Sequence, residues 1–283
     1  MRWNERGGSR RSALLLPLLL ICTCIALLAV SATASAAPEI GRCVPVEGVK
    51  EGKKTVFSGG YKSKNCRKSA PAHNGKYEWL PGAGESPTFE TISEEGATLE
   101  TASGVKIECI SGQTFGEVTG ATTEKLSFVM AECKEAGTGQ TCTTELPEGT
   151  EEVPREGVIH SQALKGELGL VEGAKKAGWD VKPETGSLVA SFECGAKLTG
   201  KQYLIEGSYV DRVKHTNKMT FEMIDLYKQK AGKQIPEKVE GSEPDVLSAK
   251  FLSGLELRTE AIGLETTEES FPEEEMELRV STR

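Results

Sequence analysis

Short segments in which apolar and polar residues alternate fill most of the chain after residue 36, and Gly, Pro and Thr separate them. A period of two places successive side chains on opposite faces of a strand, and no long segment shows the 3.6-residue period of a helix. The pattern therefore predicts an all-β fold, a barrel or sandwich of about 10–14 strands. The main predicted strands are residues 97–101, 105–110, 116–119, 126–132, 158–161, 164–170, 188–194, 202–209, 219–227, 245–251, 255–259 and 276–280.

Three stretches lack this alternation and are predicted to lie outside the strands. Residues 83–95 form a polar connection, residues 171–186 an irregular excursion around Trp179 and Pro183, and residues 260–272 a loop. Each contains the charged residues, Gly or Pro that are typical of loops.

One short stretch occurs twice, in residues 105–109 and 189–194, and both copies end in Glu-Cys. In a strand, the Cys and the apolar residue two positions before it lie on one face, and the Glu lies on the other. We interpret the two copies as neighbouring strands of one β core. This interpretation buries Cys109 and Cys194 and joins them.

The first 36 residues have the features of a secretory leader. Basic residues come first, residues 13–30 are an uninterrupted apolar run, and residues 34–36 form a small-residue cleavage site. Retention of the leader as a membrane anchor is the alternative. After the leader, residues 37–82 are predicted to form a small disulfide-closed N-terminal lobe and residues 83–283 the main β domain.

Six cysteines follow the leader, an even number that in an exported chain predicts three disulfides. Proximity in the sequence favours two of the pairs, and the echoed strands favour the third. A metal or redox site is the alternative, but no C-x-x-C motif is present. The predicted pairs are Cys43–Cys66, Cys133–Cys142 and Cys109–Cys194.

The charge of the chain is acidic but uneven. The whole chain carries −8 and the leader +3, so the remainder carries −11, a balance that argues against nucleic-acid binding. Residues 42–76 are an exception, because they hold nine Lys and Arg against Glu47 and Glu51. This basic stretch is either a contact for an anionic wall polymer or membrane surface, or a solvated face that pairs with the acidic remainder.

No motif for a catalytic nucleophile, a nucleotide or a metal is present, so the catalytic residues are unknown and no cofactor or metal is predicted. The four Asp are far apart in the sequence, and His73, His160 and His215 are scattered. Glu is so abundant that two nearby Glu would prove nothing by themselves. The candidate ligand contacts are Trp79 and Trp179, although such a Trp more often closes a small core.

Several stretches, in this order along the chain, resemble a group of secreted, Gly-rich actinobacterial proteins. The resemblance covers most of the chain after the leader. It implies export and a shared β fold, and it implies no activity and no catalytic residue. The stretches are residues 43–46, 75–82, 107–109 and 116–120, then Phe128 with Cys133 and Cys142, and then residues 164–169, 192–194 and 217–220.

These observations predict a secreted or envelope-associated, non-enzymatic protein that binds an extracellular or cell-wall polymer or has a structural role. The alternative is an extracellular polysaccharide hydrolase with Glu as acid and base. A hydrolase requires a deep cleft in which two carboxyl groups converge and burial raises at least one pKa. A binding or structural protein requires Glu dispersed over a convex surface. The sequence leaves the ligand and the oligomeric state open.

Overall fold

The structure is a computed structural model that describes residues 37–144, 155–173, 176–196, 200–253 and 256–280. The predicted secretory leader, residues 1–36, lies outside the described residues. Within these ranges the chain forms 22 strands and no helix, so no helix there is long and apolar enough to cross a membrane.

The strands range from two residues to 17 residues in length. They are β1 (Glu39–Pro45), β2 (Val49–Glu51), β3 (Lys54–Val56), β4 (Tyr77–Pro81), β5 (Thr88–Ser93), β6 (Ala97–Thr101), β7 (Lys106–Cys109), β8 (Ser111–Val118), β9 (Thr123–Ala131), β10 (Lys134–Glu135), β11 (Gln140–Thr143), β12 (Ile159–His160), β13 (Leu164–Val171), β14 (Lys176–Pro183), β15 (Leu188–Cys194), β16 (Lys201–Gly207), β17 (Tyr209–Lys214), β18 (Met223–Lys230), β19 (Lys233–Ile235), β20 (Leu247–Ser253), β21 (Glu256–Pro272) and β22 (Glu277–Arg279).

Eight strands close into an antiparallel barrel, here the first barrel. Going around it, the order is β5, β8, β9, β13, β14, β17, β18 and β21, and β21 pairs again with β5. Closure leaves none of these strands with an unpaired edge along its whole length. The prediction of an all-β barrel or sandwich is confirmed.

A second set of antiparallel pairings also closes on itself, here the second barrel. Its order is β6, β7, β10, β11, β15, β16, β20 and β21, and β21 pairs again with β6. Its side chains include the fully buried Ile107, Phe192 and Tyr203. Strand β21 belongs to both barrels, so this one strand forms part of the wall of each.

The 17-residue strand β21 corrects the prediction of a loop at residues 260–272. Its first part, up to Ala261, pairs with β20 of the second barrel, and its last part pairs with β18 and β5 of the first barrel. The segment did not show hydrophobic alternation because the residues that face inward include Thr266, Glu268 and Ser270.

The other two stretches predicted to lie outside the strands also contain strands, each hidden for its own reason. Residues 83–95 contain β5, whose buried side chains are Thr91 and Ser93. Residues 171–186 contain β14, in which five consecutive residues are buried, so it has no alternation of burial. Polar inward positions and two-sided burial both hide a strand from a search for hydrophobic alternation.

Residues 37–82, for which the name N-terminal lobe is kept, are joined to the end of the chain by strand pairing. Strand β1 lies between β4 and β22 in a three-stranded sheet. Ile40 of β1 is buried, and its N–H donates to the carbonyl of Ala121 at 2.8 Å. Met276 and Leu278 are each 1% exposed, so this end of the chain packs into the core.

The structure contains three disulfides, of which Cys43–Cys66 is as predicted. The predicted pairs Cys109–Cys194 and Cys133–Cys142 are wrong. The observed pairs are Cys109–Cys133 and Cys142–Cys194, each with Cα atoms 4.0 Å apart.

The β10–β11 hairpin is the physical reason for this correction. It lies between β7 and β15, so the echoed strands are not neighbours, and the four cysteines form a row across the sheet. Cys133 and Cys142 are also cross-strand neighbours, because the N–H of Cys142 donates to the carbonyl of Cys133 at 2.9 Å. Cys133 instead forms its disulfide with Cys109, and Cys142 forms its disulfide with Cys194.

Candidate functional site

Four carboxylic acids lie inside the first barrel, here called the carboxyl cluster. They are Glu124 on β9, Asp211 on β17, Asp225 on β18 and Glu268 on β21, and they are between 4% and 7% exposed. Two of the four Asp in the chain therefore belong to one site. Spacing along the sequence gave no sign of this, because the barrel brings together strands that are far apart in the chain.

Strand register brings these side chains together. Asp225 lies directly opposite Glu268 on the neighbouring strand, and Asp211 lies opposite Trp179. Side chains directly opposite each other on one face of an antiparallel pair have Cβ atoms about 4.5–5.5 Å apart. The register of β18 and β21 therefore places Asp225 beside Glu268.

Glu124 occupies space that a neighbouring glycine leaves free. Its strand partner is Gly166, and a Cβ atom added there would lie 2.6 Å from Glu124 Oε1 and 2.7 Å from its Cγ. No side chain larger than hydrogen fits at Gly166 while Glu124 keeps this position.

Hydrogen bonds satisfy only part of the cluster. The hydroxyls of Thr91 and Thr114 donate to Glu268 Oε2 at 2.5 Å and 3.1 Å. Asp211 Oδ1 is buried and has no hydrogen-bond partner. A buried carboxylate oxygen without a donor is costly, which favours a protonated carboxyl group at this position.

No Lys or Arg of the described residues forms an ion pair with any of the four carboxyl groups. Burial is the main cause that raises the pKa of each group above its ordinary value. The charge of Asp225 further raises the pKa of Glu124 and Asp211. Burial, followed by the charge of Glu268, raises the pKa of Asp225 to about 8. The cluster therefore holds protons at neutral pH.

Little free space remains around the cluster. Glu124, Asp211 and Asp225 line a cavity of about 30 Å³, and Glu268 lines a second space of about 10 Å³. Ile40 of the N-terminal lobe and Met276 also line the larger cavity. One water needs about 10–15 Å³ and a typical ligand pocket measures about 300–1,000 Å³, so the cavity can hold one or two waters but no sugar ring.

The cluster is chemically a store of protons in a narrow interior. A protonated carboxyl can donate to a neighbouring carboxylate, as a general acid would, but the free space beside it is too small for a sugar ring. Among the described residues, no three His, Cys, Asp or Glu side chains are arranged to hold a metal ion. None of the three histidines lines either space.

The second barrel has a different interior. Phe192 on β15 stacks on Tyr203 of β16, with ring centroids 5.2 Å apart. The ring centroid of Phe251 on β20 lies 5.3 Å from that of Tyr203. Lys201 Nζ lies over Tyr203 and Phe251 and forms a 3.0 Å ion pair with the buried Glu135. This interior is a packed aromatic core, and it holds no group of neighbouring carboxyls.

The two tryptophans predicted as ligand contacts lie apart from each other. Trp179 is 5% exposed and lines the 30 Å³ cavity of the first barrel. Trp79 lies on β4 of the lobe, where the Arg279 guanidinium covers its ring at 3.4 Å from the centroid. The structure does not bring them together, so they form no shared aromatic platform.

No protein-family model, curated protein or solved structure matches this chain. The three disulfides within the chain are consistent with an exported protein. What the protein does is therefore inferred from its own residues.

Proposed function

We propose that this chain is an exported, non-enzymatic protein of the extracellular space or cell envelope, which binds a polymer through its outer surface. The observation that carries this proposal is the closed first barrel. Three of its four convergent carboxyl groups line a cavity with only about 30 Å³ of free space, which is too small for a sugar ring. The three disulfides support export, since such bonds persist outside the cytosol.

A polysaccharide hydrolase is the second candidate, and one observation favours it. Four carboxyl groups converge, and burial raises their pKa values, as required for a general acid. A glycosidase also needs room for a sugar between two carboxyl groups about 5–10 Å apart. The interior of the first barrel lacks this room, so the binding function is the better supported of the two.

Co-sedimentation combined with a product assay tests the proposal. The purified protein is mixed with insoluble extracellular and cell-wall polysaccharide fractions, and both the bound fraction and the released reducing ends are measured. We expect binding to at least one fraction and no release above a protein-free control. Release that is abolished in the Asp225→Asn, Glu268→Gln double variant would overturn the proposal in favour of the hydrolase.

A further inference from the structure

The lobe carries seven exposed lysines that are not neutralised by the rest of the protein. None of them has a carboxylate within 4.0 Å among the described residues, and of the nine Lys and Arg in residues 42–76 only Arg42 and Arg67 form ion pairs. Glu47 and Glu51 are the acidic residues of this stretch. The lysines, here called the lysine track, are Lys50, Lys53, Lys54, Lys62, Lys64, Lys68 and Lys76.

Backbone pairing joins several of the segments that carry these lysines, although Lys54 lies opposite Glu51 in the β2–β3 hairpin. Lys54 lies on the β2–β3 hairpin, which leads to Phe57, and the ammonium group of Lys76 lies 5.4 Å above the Phe57 ring. Tyr77, next to Lys76, bridges to Tyr61, next to Lys62. The N–H of Lys62 donates to the carbonyl of Lys68 at 2.7 Å.

At one end of the track the surface forms a concave site of about 370 Å³, here called the lysine cleft. Lys64 and Arg67 line it from the lobe, and Asn217 and Lys218 line it from the turn between β17 and β18. Glu275 and Glu277 are the carboxylates of this cleft. Its volume falls within the range of about 300–1,000 Å³ that is typical of ligand sites.

The charge of the cleft is positive on balance, because Lys64, Arg67 and Lys218 outnumber Glu275 and Glu277, although Glu277 Oε2 has no hydrogen-bond partner. Glu277 is fully buried, and Arg67 and Arg279 donate to its Oε1 at 2.6 Å and 3.3 Å. Lys64 and Lys218 form no ion pair among the described residues, which leaves Glu275 as the exposed opposing charge. An anion in this cleft meets two ammonium groups whose charge is available.

The loop that presents Lys64 is held in place from several sides. Cys66 within it is bonded to Cys43, and the N–H groups of Arg67 and Lys68 donate to Ser63 Oγ at 3.2 Å and 3.0 Å. Arg67 also donates to the carbonyl of Asn217, which joins the loop to the β17–β18 turn. A site fixed in advance loses less conformational entropy when it binds.

We propose that the lysine cleft and the lysine track bind a linear polyanion, with one anionic repeat unit in the cleft and further units along the track. The proposal rests on the proposed function and names the class of polymer and its site. Lysine ammonium groups act as point charges toward either phosphate or carboxylate, so the shared chemistry is a regularly spaced negative charge.

A soluble polymer chain fits the observations better than a membrane surface does. The cleft is concave and can enclose a repeat unit, whereas a bilayer presents a broad surface that does not enter it. The seven exposed lysines also supply several separate positive charges, which suits a chain that carries one charge per repeat. Exposed charges are screened by salt, so binding weakens steeply as ionic strength rises.

Titration calorimetry with defined polymers tests this proposal on the purified protein. The probes are polygalacturonate and poly(glycerol phosphate) as polyanions, dextran as a neutral polymer, and vesicles that contain phosphatidylglycerol. The test variant is Lys64→Glu with Lys218→Glu. The control is Lys134→Glu with Lys228→Glu, which causes the same change in net charge at two other exposed lysines that are free of ion pairs among the described residues.

We expect binding to at least one polyanion, a loss of about tenfold or more in the test variant, and little change in the control. Circular dichroism and the melting temperature show that both variants are folded. Equal losses in the two variants, or binding that salt does not weaken, overturn the proposal. Tighter binding to vesicles than to either polyanion also overturns it.

The same titrations separate this proposal from the function on which it rests. Binding to dextran or to an insoluble neutral fraction, with none to the polyanions, overturns the lysine cleft but leaves the polymer-binding function standing. Binding to no polymer of any charge overturns both.

Discussion

Buried carboxyl groups make the stability of this protein depend on pH. Because the folded protein raises their pKa, the folded state binds more protons than the unfolded state above about pH 4. The stability from these groups is fully present below their unfolded pKa, and it is lost as the pH rises through their folded pKa. Asp245, whose pKa burial raises to about 6, acts in the same direction.

We therefore predict that the melting temperature falls as the pH is raised from 5 to 9. The variant Asp225→Asn, which cannot ionise, should be more stable than the wild type at pH 9 by about 2 kcal/mol or more, and close to it at pH 5. Denaturant unfolding at both pH values measures this difference.

The control for this experiment is Glu108→Gln, which changes an exposed carboxylate on β7. It should leave the pH dependence of the wild type unchanged. If Asp225→Asn destabilises the protein equally at pH 5 and pH 9, the carboxyl cluster does not hold protons as described.

A second prediction at this scale concerns the glycine beside Glu124. Gly166→Ala places a Cβ atom 2.6 Å from Glu124 Oε1, so we expect a loss of about 1–3 kcal/mol in the free energy of unfolding. Gly112→Ala is the matched control on β8 of the same barrel, where the nearest atom would lie 3.7 Å away. Similar losses in both variants would show that Glu124 does not occupy the space over Gly166.

At the scale of strands, the row of four cysteines gives a prediction about covalent structure. Peptide mapping of the unreduced protein should recover Cys109 joined to Cys133, and Cys142 joined to Cys194. Replacing both cysteines of either pair by Ala should cost about 3–4 kcal/mol of stability in the chain-entropy model. Recovery of Cys109 joined to Cys194 would contradict the position of the β10–β11 hairpin.

The sequence predicted strands best where the interior is apolar. Strands β6 and β15 have the predicted bounds, because Ala97, Leu99, Phe192 and Cys194 alternate with more exposed residues. Strands β5 and the last part of β21 were missed, because the first barrel is lined with Thr, Ser and Glu.

The candidate site could not be predicted from the sequence, because its members come from four strands and share no motif. Which strands face one another depends on the closure of the barrel, and no local pattern records it. The cysteines illustrate the same limit of local reasoning. Proximity along the chain correctly identified Cys43–Cys66. The other two predicted pairs are wrong because the β10–β11 hairpin lies between the echoed strands β7 and β15.

Strand β21 is the strand that the two barrels share. Ile262 to Glu265 pair with β6 in the second barrel, and the next five residues pair with β18 in the first barrel. A strand that must serve two barrels is necessarily long. Its change from apolar to polar inward residues marks the point where it passes from one barrel to the other.

For the whole molecule, the arrangement separates a closed interior from a charged exterior. Two barrels and three disulfides form a rigid scaffold, and the lobe at residues 37–82 carries the positive surface of an otherwise acidic protein. We expect the carboxyl cluster to set the pH dependence of stability and the lysine cleft to bind the polyanion. These assignments can be separated, because the two sets of residues do not overlap.

The most direct test compares three proteins in one measurement of polymer binding and product release. They are the wild type, the cluster variant Asp225→Asn with Glu268→Gln, and the cleft variant Lys64→Glu with Lys218→Glu, each assayed with polygalacturonate and poly(glycerol phosphate). We expect the cluster variant to bind as the wild type does, the cleft variant to lose binding by about tenfold or more, and none of the three to release product. Product release by the wild type that the cluster variant lacks would contradict this expectation.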